Sequence, residues 1–207
     1  MNGSRVVVRI LGPVQLEGPD GPVALAGTLP RGFLAVLALE APRPVSIDRL
    51  TSLLWAEQPP AGVKVALQQL ASRVRRALVA AGLPDALRAV APGYALTVDP
   101  SAIDLRVFRA AVRDGVTAAA TGDHERAIAE LTKGLDLWRG AAMADLIDLP
   151  LGELLQPAMD DERWRAEEQR AEAMLTVGHA QEAAHLLAAA TADAPLRERL
   201  WVLRSQA

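Results

Sequence analysis

The chain has 207 residues, 51% of them hydrophobic, and a formal net charge of −3. That length and apolar content permit a sizeable buried core and exclude disorder as the default state. The absence of cysteine excludes a disulfide scaffold, a thiolate zinc site and a cysteine nucleophile, and suits a reducing cytosol.

In chain order, the opening "MNGSRVVVRILGPV" has only a short apolar run broken by Arg9, without the apolar stretch of a signal peptide. No later run approaches the ~18 apolar residues that cross a bilayer, so a cytoplasmic protein with no membrane partner is expected. "RVVVRIL" (Arg5 to Leu11) and the two short runs around Pro19-Asp20-Gly21 read as strands joined by a turn. "RGFLAVLALEA" (Arg31 to Ala41) follows Pro30, a good first-turn residue, and reads as a helix. In "SIDRLTSLLWAE", Ser46 is placed to cap a helix whose apolar stripe is Leu50, Leu53 and Leu54. "EQPPAG" breaks the pattern, and "VKVALQQLASRVRRAL" then carries Leu67, Leu70, Val74 and Leu78 at helical spacing. "LRAVAPGYALTVDP" (Leu87 to Pro100) reads as a hairpin pivoting on Pro92-Gly93. Strands, three helices and a closing hairpin describe a winged helix-turn-helix.

From Ile103 onward the pattern is helical. One loop is carried by Thr121-Gly122-Asp123, and a long helix from roughly Leu151 to Val177 ends at Gly178. "GDHERAIAEL" and "GHAQEAAHLL" repeat one helix–turn–helix pattern, with His124 and His179 in equivalent positions. Such a pattern reads as tetratricopeptide-like repeats, which build protein-binding surfaces. The expected fold is mainly α with small β elements: a winged-helix domain over residues 1–100, then a helical domain over 101–207.

Charge follows the same division. Residues 1–100 hold ten Lys and Arg against seven Asp and Glu, whereas residues 101–207 hold twelve against eighteen. A basic first half hints at nucleic acid. With Leu67, Leu70, Val74 and Leu78 inward, Lys64, Gln68, Ser72, Arg75 and Arg76 fall largely on the outer side. Gln can pair with adenine and Arg with guanine, Lys and Ser hydroxyls suit phosphate, and Arg88 before the wing turn suits the backbone. The alternative is an ordinary amphipathic helix with a solvated, charged face.

The stretches "VSIDRLTSLLW", "PPAGVKVALQQLASRVRRAL", "PGYALTVDP", "IDLRVFRAAV", "GDHERAIAELTKGLDLWRG" and "APLRERLWVL" together resemble the SARP family, the antibiotic regulatory proteins of actinomycetes. They span nearly the whole chain in the family's order. The resemblance implies an OmpR-type winged helix plus a bacterial transcriptional activator domain, acting as an activator of biosynthetic genes. It implies two macromolecular partners, promoter direct repeats of duplex DNA and RNA polymerase, with a homodimer as a further expectation. It also implies DNA contacts from Arg31, Gln69, Arg73 and Tyr94 beside those already named.

Three departures from the family pattern stand on or near the expected DNA side: Val65 and Leu70 where the family has a polar residue and a tyrosine, and Leu29-Pro30 where it has a Lys-Gln pair. Family members also continue past "RERLWVLRSQA" with helices that cap the stack. The helical domain is therefore expected to be incomplete, offering Leu200, Trp201 and Leu203 to a partner. These departures keep a second reading open, a fold relative that has lost DNA reading and serves as an accessory, ligand-binding or catalytic protein in biosynthesis. Against catalysis, the sequence has neither a recognisable nucleophile motif nor a G-x-x-x-x-G-K-[ST] loop. The three histidines have no metal-ligand spacing, so neither metal nor cofactor is expected. The four tryptophans, Trp55, Trp138, Trp164 and Trp201, read as packing residues.

Overall fold

A computed structural model describes residues 6–207; the Arg5 end of the first expected strand lies outside them. Strands β1 (Val8–Arg9), β2 (Gln15–Gly18) and β3 (Gly21–Val23) form one antiparallel sheet in that order. Helix α1 (Thr28–Glu40) starts a turn earlier than its sequence pattern indicates, so Pro30 sits inside its first turn. A short strand β4 (Val45–Ser46) leads into α2 (Ile47–Trp55). Ser46 caps α2 as expected, its hydroxyl accepting from the Arg49 amide at 3.1 Å. Helix α3 (Val63–Ala80) follows, then the hairpin β5 (Leu87–Val90) and β6 (Gly93–Leu96). β6 lies between β4 and β5, pairing Val45 with Tyr94 and Ser46 with Gly93. The connector before α3 and the short strand beside the wing make the arrangement a winged helix-turn-helix.

The remaining elements are helices α4 (Asp104–Ala120), α5 (His124–Leu135), α6 (Pro150–Thr176), α7 (Ala180–Asp193) and α8 (Glu198–Gln206). The two repeats end their first helices alike. Gly122 and Gly178 adopt φ of 82° and 86°, which L side chains rarely tolerate. The next residue's amide then reaches back, Asp123 to the Ala118 carbonyl and His179 to that of Met174, each at 2.9 Å, satisfying a carbonyl the helix end would strand. No helix among the described residues is long and apolar enough to cross a membrane.

Packing divides the chain into two compact units that are not consecutive in sequence. The first comprises the described residues up to Val107 together with Trp138–Ala158; the second comprises Phe108–Leu137 and Met159–Ala207. In the first, Phe33, Leu34, Leu37, Leu50, Leu54, Leu67, Leu78 and Leu96 are fully buried. The returning segment is built into it. Amides of Arg139 and Met143 donate to the carbonyls of Leu11 and Ile10 at 2.8 and 3.0 Å. A Cβ on Gly32 would collide with Leu149 and Leu54, so α1 admits that segment only through a glycine. The buried carboxylate of Asp104 accepts from the amides of Ile10 at 2.9 Å, Leu11 at 3.0 Å and Leu105 at 2.8 Å. Burial raises the Asp104 pKa, opposed by those amides and the Arg139 charge.

In the second unit α8 closes on α7. Leu200 and Leu203 are buried with Ala171, Met174, Ala183, Leu187 and Ala190. This corrects the expectation that both leucines await a partner: the chain's own α6 and α7 cover them. Trp201 is the exception, 47% exposed, its indole N–H donating to the Pro195 carbonyl at 3.0 Å.

Candidate nucleic-acid interface

Helix α3 has one apolar and one polar side. Leu67, Leu70, Ala71, Val74, Ala77 and Leu78 are buried. Opposite them Lys64, Gln68, Gln69, Ser72, Arg73 and Arg76 are exposed. At 100° per residue, Gln69, Ser72 and Arg76 run down the middle of the exposed side, with Gln68 and Arg73 flanking them. Arg73 separates two shallow depressions. The first, about 470 Å³, also takes in Arg76, Ala77, Ala80 and residues 23–26; the second, about 360 Å³, takes in Trp55, Gln69 and the start of α1.

Arg88 is exposed on β5, the outer strand of the wing. Arg49, which the sequence pattern did not single out, is exposed in the first turn of α2. Its signal was its place off the Leu50, Leu53, Leu54 stripe, next to a capped helix start.

Three basic or aromatic candidates are engaged within the fold instead. Arg31 pairs with Asp145 at 2.5 Å, both side chains mostly buried. Asp145 is 114 positions away in sequence, so no local pattern announces the pair. Arg75 is half-buried and donates to the Leu87 carbonyl at 3.4 Å, holding α3 to the wing rather than facing outward. Tyr94 is buried, its ring edge-on to Phe33 at a centroid distance of 5.3 Å, because β6 lies between β4 and β5 and turns this residue toward α1. Arg31, Arg75 and Tyr94 therefore leave the set of exposed contacts. Of the apolar departures, Leu70 and Pro30 leave the surface because they are buried, while Leu29 is half-buried and lines the second depression. Val65 alone stands exposed.

Among the described residues, no three His, Cys, Asp or Glu side chains are grouped to hold a metal ion. Helix α3 carries no acidic residue in its first turn and no side-chain cap at Gly62, so nothing there offsets its cationic side chains or the positive end of its dipole.

Residues 103–207 match the bacterial transcriptional activator domain family. Over 202 residues the chain is 32% identical to the regulatory protein DnrI of Streptomyces peucetius, covering 94% of this chain and 74% of DnrI. The chain belongs to the SARP family. The transcriptional regulator RedD of Streptomyces coelicolor is 35% identical over 204 residues, or 57% of RedD, and the transcriptional regulatory protein EmbR of Mycobacterium tuberculosis is 35% identical over 194 residues. The chain spans only 50% of the length of EmbR. A solved structure of Mycobacterium tuberculosis EmbR with a low-affinity phosphopeptide superposes with a TM-score of 0.90 at 34% identity. That match covers 97% of this chain and 53% of EmbR. These relatives are thus regulatory proteins, and the matching portion of EmbR shares this chain's fold.

Proposed function

We propose that this SARP-family chain is a DNA-binding transcriptional activator of a secondary-metabolite gene cluster, working in the cytoplasm. In this reading residues 1–100 recognise promoter direct repeats, and residues 101–207 form the surface toward RNA polymerase and a second copy. One observation carries it: the helix after the turn of a winged helix-turn-helix keeps two glutamines, a serine and two arginines exposed along one face. Glutamine and arginine are the side chains that pair bidentately with adenine and guanine in the major groove. Lys64 and Arg88 at the edges suit phosphates, which position the protein without reading sequence.

A mobility-shift titration of the full chain with promoter DNA at low salt tests the reading. Binding is expected to weaken steeply as salt rises. Gln68→Ala should relax sequence preference, whereas Arg76→Ala, assigned to phosphate because it lies in the later turns of α3 away from its base-reading start, should weaken all sequences alike and reduce the salt slope by about one. A folded chain that shifts no fragment would favour the second reading, a fold relative that has lost DNA recognition. Self-association is a separate question. Leu196, Trp201 and Val202 remain the apolar exposed side chains near the end of the chain. Light scattering should show a dimer that Trp201→Glu moves toward monomer, and a concentrated monomer would contradict it.

A further inference from the structure

The exposed face of α3 is polar and cationic except near its start. Val65 is 57% exposed, while Val74 on the opposite side is fully buried. An isolated apolar side chain is ordinary on a surface that faces water. Its position here is not peripheral. Gln68 and Gln69 stand three and four positions on, so their Cβ atoms lie about 5–6 Å from that of Val65, and Ser72 and Arg76 continue the row. A face that closes on DNA removes this isopropyl group from water, which is favourable only against another apolar group. On the major-groove edge of duplex DNA the C5-methyl of thymine is that group. Recognition helices of this kind present their N-terminal residues to base edges, and Val65 is the third residue of α3. Val79, also exposed, lies fourteen positions further along, roughly 21 Å at 1.5 Å per residue, near the far end of the helix.

Resting on the DNA-binding reading above, we infer that Val65 is a specificity-determining residue that contacts the methyl group of a thymine close to an adenine held by Gln68 or Gln69. Successive base pairs rise about 3.4 Å, so a side chain 5–6 Å from the glutamines meets a base one or two steps away. The recognised half-site accordingly contains neighbouring A·T pairs under the start of α3. The valine that departs from the family's polar residue thereby gains a partner that a polar side chain would not favour.

The test starts from a randomised duplex library enriched on the full-length chain. Each thymine of the enriched duplex is replaced singly by deoxyuridine, which removes the C5-methyl and nothing else. One replacement per half-site should weaken binding about fourfold, the worth of one buried methyl-sized group, and the others should have no effect. Val65→Ser should bind the thymine and uracil duplexes equally, while Val65→Thr, which keeps a methyl, should retain the difference. Both variants sit at an exposed position and leave the core untouched. Indifference of the wild-type chain to every replacement, or persistence of the loss in Val65→Ser, would overturn the inference while leaving DNA binding intact. Failure of the folded chain to enrich any duplex would overturn the DNA-binding reading and this inference with it.

Discussion

Asp104→Ala is expected to destabilise the first unit by at least about 2–6 kcal/mol, because of the three amides it accepts from it strands at least the two remote ones, Ile10 and Leu11, at ~1–3 kcal/mol each. The carboxylate is 1% exposed and accepts from both Ile10 and Leu11, so its loss leaves their N–H groups without water or partner. Denaturant unfolding followed through Trp55 and Trp138, which belong to this unit, measures the effect. A loss below 1 kcal/mol would mean that the amides find other acceptors. The same carboxylate imposes a pH dependence. Burial places its folded pKa above the ordinary aspartate range, so the folded state binds more protons than the unfolded state in the window between the two values. Its contribution is fully present below the unfolded value, near pH 4, and is lost as pH rises through the folded one. Relative to Asp104→Asn, which does not titrate, the wild-type chain should lose stability as pH rises through that window. Parallel pH profiles for the two proteins would contradict the raised pKa.

Leu200→Ala should cost roughly 2–5 kcal/mol, the usual range for emptying a fully packed leucine site. Leu200 is 0% exposed within a cluster contributed by α6, α7 and α8, and the surrounding alanines cannot extend to fill the space. Trp201→Ala should cost less than this, since the residue is 47% exposed; it loses the hydrogen bond to Pro195, the Arg204 guanidinium over its ring at 5.4 Å and only part of a full aromatic burial. Far-UV circular dichroism during chemical denaturation separates the two variants. Equal, small effects would return Leu200 to the exposed surface and revive its role as a partner contact.

Periodic features were legible in the sequence. The Ser46 cap, the stripes of α2 and α3, the hairpin at Pro92-Gly93 and the glycine-ended repeats are local, set within a turn or two of chain. What sequence periodicity does not reveal is which element covers an apolar face. Leu200 and Leu203 read as orphans because their cover, Ala183 and Leu187, belongs to another helix and is itself only a small-residue pattern. Arg31 read as a DNA contact because its carboxylate partner is remote in sequence, and Tyr94 because its burial depends on β6 being the middle strand. The exposed set on α3 was legible in outline, while Arg75 differed because it lies about a quarter-turn off the exposed row, where the Leu87 carbonyl of the wing meets it.

The return of Trp138–Ala158 to the first unit has a consequence during synthesis. A ribosome that has released Val107 has not yet supplied Asp145, which pairs with Arg31 and accepts from the Val14 amide at 2.8 Å, nor Leu149 and Leu151, which pack on Gly32 beside Leu54. Roughly fifty further residues must emerge, about 3–10 s at ordinary elongation rates. During that interval the nascent winged helix is an open shell, and the intervening α4–α5 pair is made before the unit it interrupts can close. A fragment cut at residue 100 would be held permanently in that unfinished condition, with part of its apolar surface bare to chaperones and proteases.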